Sequence, residues 1–270
     1  METKQKLMQT ALQLFADNGY NETSVQEIAM QTGISKGGFY SFFPSKIDLM
    51  LEIVDNYHQS IQNVANKMDG TNIDLASYLH GELEIWIEHR LFFHVIFKEL
   101  PPKKDESFTQ KMEQLHETLH NHHREYFYLT YGQQIAPYVT DLVIMLEGIM
   151  KEYMLYMMLH DKHMNAKQLS SWISRQMDGL VQNLANQKPF LQGDKEHTIE
   201  QLLEDIKESV LQLQLSNQNM LLHTIEEIAQ QIRTEQDPFQ LELLFHYLKS
   251  EKVIEIQTIQ IERMWKQGGL

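Results

Sequence analysis

The sequence predicts an all-α protein, and three observations carry the prediction. Apolar residues recur at three- and four-residue spacing from Thr3 through most of the chain. Up to Pro189 no stretch alternates in the manner of a strand. The interruptions of the helical period fall at glycines, prolines and helix-capping residues.

The first helix is expected from Thr3 to Asn18, with Leu7, Ala11, Leu14 and Phe15 on one face and Gly19 ending it. The second starts at Ser24, whose hydroxyl forms a capping box with Glu27, and turns Val25, Ile28 and Ala29 inward. Gly33 suits the left-handed turn that closes it. Ser35 caps a third, very short helix of about seven or eight residues, and Pro44 stops it. Such a helix is too short to stand alone and must be braced by its neighbours. Its first turn holds Lys36, Gly37 and Gly38. Two glycines there cost roughly 1 kcal/mol each relative to alanine. They also leave backbone amides uncovered, which suits a phosphate or a base edge.

Ser45 and Asp48 open a fourth helix, expected to reach Met68 before Asp69-Gly70. Four more periodic stretches follow, Asp74 to Glu99, Asp105 to Tyr131, Ala136 to His160 and Asn165 to Gln187. Pro101-Pro102, Gly132 and Pro189 punctuate them. Beyond Pro189, residues 196–233 read as one long helix. Its seam, Ile199, Leu203, Ile206, Val210, Leu213, Asn217 and Met220, keeps heptad spacing and shifts afterwards in the manner of a stutter. That seam predicts a partner surface. Asp237-Pro238 opens another helix through Leu248. Ile254, Ile256, Ile259 and Ile261 partly alternate, so a strand competes there with the favoured helix.

Residues 3–46 resemble the DNA-binding domain of the TetR family of bacterial transcriptional regulators. The resemblance rests on Ala11, Leu14-Phe15, Gly19-Tyr20, Thr23-Ser24-Val25, Ile28-Ala29, Gly33-Ile34-Ser35-Lys36-Gly37, Phe39-Tyr40 and Phe43-Pro44-Ser45-Lys46. Gly38, Ser41 and Phe42 depart from the common pattern. The resemblance implies a helix-turn-helix domain over 1–46 and a helical ligand-binding and dimerisation domain over 47–189; such chains commonly end near residue 190, and residues 190–270 are read as a helical extension. It implies that Ser24, Lys36, Tyr40 and Lys46 meet phosphates of double-stranded operator DNA and that Gly37, Gly38 and Ser41 approach base edges. It also implies a homodimer, formed by the helices expected at 136–160 and 165–187. The activity implied is repression, relieved when a small apolar ligand moves the helix at 45–68.

The net charge of −14 argues at first against nucleic acid. Its distribution softens that argument. Residues 1–48 carry Lys4, Lys6, Lys36 and Lys46 against Glu2, Asp17, Glu22, Glu27 and Asp48, a net of −1. The 42% hydrophobic content supplies a core, and the absence of cysteine excludes disulfides and thiolate metal sites. No signal peptide is read at Met1 to Lys6, and no apolar run spans a bilayer, so a cytoplasmic protein without membrane contact or cofactor is expected.

Residues 74–160 are rich in aromatic and methionine side chains, which suit flexible apolar ligands. With the resemblance, Trp86, Phe93, Phe97, Tyr126, Phe127, Met145, Tyr153 and Met157 are the candidate ligand contacts. His116-Glu117-Thr118-Leu119-His120 matches the H-E-x-x-H signature of zinc hydrolases, with Glu147 a distant third ligand. This zinc-dependent hydrolase is one alternative function. A regulator whose effector is a protein held by residues 190–270 is another.

Overall fold

The computed structural model describes residues 2–66, 74–98, 105–160, 162–163, 165–184, 187–191, 198–212, 216–234, 238–251 and 254–266. These form thirteen α-helices and one 3-10 segment, with no strand among the described residues. The expected punctuation at Asp69-Gly70 and Pro101-Pro102, and the seam residue Leu213, lie outside them. The chain divides into two compact units. One comprises Met1–Asp69, Ala76–Asn121 and Met150–Trp172; the other comprises Gly70–Leu75, His122–Ile149 and Ile173–Leu270.

The first unit begins with α1 (Glu2–Asn18), α2 (Val25–Thr32), α3 (Lys36–Tyr40) and α4 (Lys46–Asn66). Leu7, Ala11 and Phe15 bury the expected face of α1 against Ile28 and Ala29 of α2, Phe39 of α3 and Leu49 and Met50 of α4. α3 is shorter than the sequence suggests, at five residues. Its end is fixed where the Ser41 hydroxyl donates to the Gly38 carbonyl at 2.6 Å and Phe43 turns into the core.

The stretch expected as one helix from Asp74 to Glu99 is two: α5 (Leu75–Glu88) and α6 (Arg90–Lys98). The apolar period runs through the break without glycine or proline, so the sequence gives no sign of it. A tertiary anchor holds the break. The His89 ring meets Tyr57 edge-on at 5.3 Å between centroids, and its Nε2 lies 3.4 Å from the Ser60 hydroxyl. Burial lowers the pKa of His89, with Glu88 opposing.

The core of this unit is continuous. Phe92 and Val95 of α6, with Phe108 and Leu115 of α7 (Glu106–Tyr131), join the cluster formed by α1 to α4. α6 packs directly on α1. The buried cluster thus runs from the helix-turn-helix into α6 and α7.

The second unit holds the rest of α7, a 3-10 segment (Gln133–Tyr138), and parts of α8 (Val139–Leu159) and α9 (Ala166–Asn183). The expected start of a helix at Ala136 falls inside the 3-10 segment. Gly132 precedes it at φ +79°, a conformation glycine tolerates. Asp141 binds the Phe190 and Leu191 amides at 2.7 and 3.2 Å.

The extension departs most from expectation. Where one long helix over 196–233 is expected, the described residues form two, α10 (Ile199–Gln212) and α11 (Gln218–Thr234). Thr198 and Gln201 exchange side-chain and backbone bonds at the start of α10, a capping box unremarked in the sequence. The expected seam residue Asn217 instead bonds the Glu251 carboxylate at 2.8 Å, and Met220 is exposed. Ile199, Leu203, Ile206 and Val210 are buried against Leu221, Ile225 and Ile228 of α11 and against α12 (Pro238–Lys249) and α13 (Glu255–Lys266). α10 meets α11 and α13, and α12 meets α11 and α13, a closed four-helix arrangement with its own core. The seam is covered by its own chain. α13 confirms helix over strand at Ile254 to Ile261.

Candidate functional site

The helix-turn-helix is built as its residues dictate. Ser24 Oγ accepts from the Glu27 amide at 3.2 Å, and the Glu27 carboxylate accepts from the Ser24 amide at 2.7 Å. These bonds hold the Glu27 carboxyl below its usual range. Gly33 closes α2 at φ 83°, with its N–H directed to the Ala29 and Met30 carbonyls. Ser35 then caps α3, accepting from the Gly38 amide at 3.0 Å. That amide was expected to be uncovered; the cap takes it.

The four lysines of the head separate into two kinds. Lys4 pairs with Glu52 at 2.6 Å, and Lys6 donates to the Thr32 carbonyl at the end of α2. Lys46 was expected to aim at phosphate. In the protein alone its ammonium donates to the carbonyls of Tyr20 at 2.6 Å and Thr23 at 2.8 Å, and lies 4.4 Å from the Tyr20 ring centroid. It ties the start of α4 to the turn between α1 and α2. Lys36, exposed on the first turn of α3, has no side-chain partner among the described residues.

Tyr40 and Phe42 are exposed at 46% and 41%, beside the buried anchors Phe39 and Phe43. Two large aromatic side chains are thus partly exposed within three residues at the end of α3. Phe42 was noted in the sequence only as a departure from pattern. Gly37 and Gly38 have ordinary negative φ, and a Cβ on either would meet nothing closer than 3.4 Å. The fold accepts alanine at both.

A separate cavity of about 270 Å³ lies within the first unit, lined by residues of α5, α6 and the stretch 157–163. Trp86 and Met157, both expected ligand contacts, line it. The lining omits the other six. Phe93 packs against Tyr57, Trp86 and Phe92 at the core, and Phe97 is 37% exposed. Tyr126 and Phe127 are fully buried in the second unit, Met145 is 42% exposed, and Tyr153 stacks edge-on with Trp172. An apolar residue type marks core and cavity alike, so composition alone could not separate them. Arg90, His94, Lys162 and His163 also line the cavity and were missed. About seventy residues separate the two pairs, and no spacing joins them.

His116 and His120 stand one turn apart on α7, ring centroids 6.0 Å apart, with His116 and Glu117 exposed. Glu147 pairs with Nδ1 of the buried His123 at 3.2 Å. No helix among the described residues is long and apolar enough to cross a membrane.

Residues 7–53 match the profile of bacterial regulatory proteins of the tetR family. The chain is 34% identical over 198 residues to an uncharacterised HTH-type transcriptional regulator, YuxN, of Bacillus subtilis, covering 71% of this chain and 68% of that one. A second from the same organism, YerO, is 31% identical, with 76% of each chain covered. Among solved structures, the fatty acid degradation regulator FadR of Bacillus halodurans shares the fold at a TM-score of 0.52 and 18% identity, over 65% of this chain and 97% of that one. These proteins are regulators, and none of them supports the zinc-dependent hydrolase. The chain belongs to the TetR family and is a DNA-binding transcriptional regulator.

Proposed function

We propose that the protein is a homodimeric repressor that leaves its operator when a small molecule fills the cavity beside Trp86. One observation carries this reading: α6 has two working faces. Arg90, Leu91 and His94 line the cavity, while Phe92 and Val95 sit in the core that α6 shares with α1. A ligand that shifts α6 therefore pushes on the helix-turn-helix through packed side chains, which move as units rather than deform. The expected lever was α4. α4 remains in the path, because Tyr57 stacks on Phe92 at 5.4 Å, but α6 is the element that meets both cavity and head.

The DNA contacts are Lys36, Tyr40, Gly37 and Gly38, with Ser24 and Ser41 beside them. Lys36 supplies an unpaired ammonium for phosphate, and the glycines allow close backbone approach, a role their neighbours in the fold do not require. Lys46 positions this surface from behind. Pairing through α8 and α9 accounts for side chains that a monomer leaves in water: Ile144 and Met145 on α8 and Trp172 on α9. Gly148 and Gly179 lie on the same helices, with open space where a Cβ would be.

Selection of duplexes from a random pool by the full-length protein tests the DNA half. It should converge on a two-fold symmetric sequence. A pool that never converges would sink the reading. Leu91→Trp tests the ligand half by filling the cavity, and should change affinity for the selected duplex about tenfold. Unchanged affinity would remove α6 as the link.

A further inference from the structure

We infer that the cavity beside Trp86 takes an organic anion, an apolar body ending in a carboxylate, where the sequence analysis expects only a small apolar ligand. The inference rests on the proposal that this cavity is the ligand site.

The walls are of two kinds. Trp86, Ile87, Leu91, Met157 and Met158 give an apolar floor with adaptable methionines. Arg90, His94, Lys162 and His163 supply every titratable group in the lining, and no carboxylate is among them. None of these four has a carboxylate partner among the described residues, in a chain whose net charge is −14. Basic groups gathered at an apolar concavity focus the field on an incoming anion and repel a cation. Arg90 presents a planar fork that matches a carboxylate with two parallel bonds.

An independent observation comes from Trp86. Its side chain is 5% exposed, and its indole N–H has no acceptor among the described residues. A buried donor without a partner is costly, and native folds rarely leave one. An acceptor oxygen on the ligand would satisfy it. The donor and the basic side chains thus ask for the same chemistry. The volume of about 270 Å³ corresponds to roughly ten non-hydrogen atoms, at about 30 Å³ per water-sized unit.

Octanoate is a probe of that size and chemistry. Calorimetric titration of the full-length protein with octanoate, octan-1-ol and octylammonium tests the inference without DNA. Octanoate should bind at least about tenfold more tightly than the alcohol, and octylammonium should not saturate. Arg90→Gln should lower octanoate affinity about tenfold and leave the alcohol unchanged. Leu91→Trp, checked for a native melt, should abolish octanoate binding. Equal binding of acid and alcohol, or tighter binding of the ammonium, would overturn the anion while leaving the cavity as a ligand site. Octanoate binding that survives Leu91→Trp, or no binding by any of the three, would remove the cavity and the anion together.

Discussion

The Lys46 ammonium sits 4.4 Å from the centroid of the Tyr20 ring and donates to the Tyr20 carbonyl at 2.6 Å. With the bond to the Thr23 carbonyl, it fastens α4 to the turn that orients α2. The ring itself is buried, and desolvation, with Asp105 and Asp48 nearby, pushes the Tyr20 hydroxyl up to about 12. Lys46→Met should therefore destabilise the protein by about 1–3 kcal/mol through lost charge-assisted and cation–π contacts. Chemical denaturation reads this directly. A variant as stable as the parent would return Lys46 to the list of free surface charges.

Lys36 makes the opposite prediction. Lys36→Ala should leave the melting temperature unchanged, because the side chain holds nothing in the fold. Affinity should fall on all duplexes alike, and the slope of log affinity against log salt should drop by about 1. Loss confined to certain sequences would instead make Lys36 a base contact.

The glycines of the head divide by the same logic. Gly37→Ala meets no neighbour closer than 3.8 Å and should stabilise α3 by up to about 1 kcal/mol while weakening DNA binding. Gly33→Ala, at φ +83°, should cost about 1–2 kcal/mol although its surroundings are open, because the strain lies in the backbone. Should Gly37→Ala bind DNA as tightly as the parent, close backbone approach is not its role.

Glu125 on α7 gives the protein a pH dependence. Burial raises its carboxyl to about 7, with Arg124 opposing, and Gln257 of α13 lies 3.4 Å away. The folded chain thus binds more protons than the unfolded one between the ordinary carboxyl range and pH 7. Stability contributed here is present at low pH and lost as pH rises through the folded value, by at most about 1.4 kcal/mol per pH unit. Glu125→Gln should flatten that segment of the stability curve. An identical curve in the variant would show that another group titrates.

The extension should fold alone. Its buried cluster, from Ile199 to Ile261, consists only of its own residues. A fragment of residues 196–270 is expected to unfold cooperatively from a helical state. The complementary fragment ending at Leu191 should dimerise as tightly as the full chain, since the seam is already covered. Sedimentation at falling concentration measures this. Weaker pairing of the truncated chain would put the extension back in the dimer interface.

The sequence by itself determined the all-α class, the helix-turn-helix and its caps, because these depend on contacts within a few residues. Ser24 with Glu27, Gly33, and Ser35 at the start of α3 are each legible from neighbours in the chain. The family followed from the same stretch. What only the tertiary structure decided depends on partners far apart in the chain. The break at His89 is held by Tyr57 and Ser60 on another helix. The heptad seam from Ile199 reads the same whether a second subunit or the same chain covers it; α11 and α13 settle which. Lys46 looks like a surface charge until Tyr20 and Thr23 come within reach. The cavity is the extreme case: Arg90 and Lys162 share no period, and only the fold brings them to the lining of one cavity.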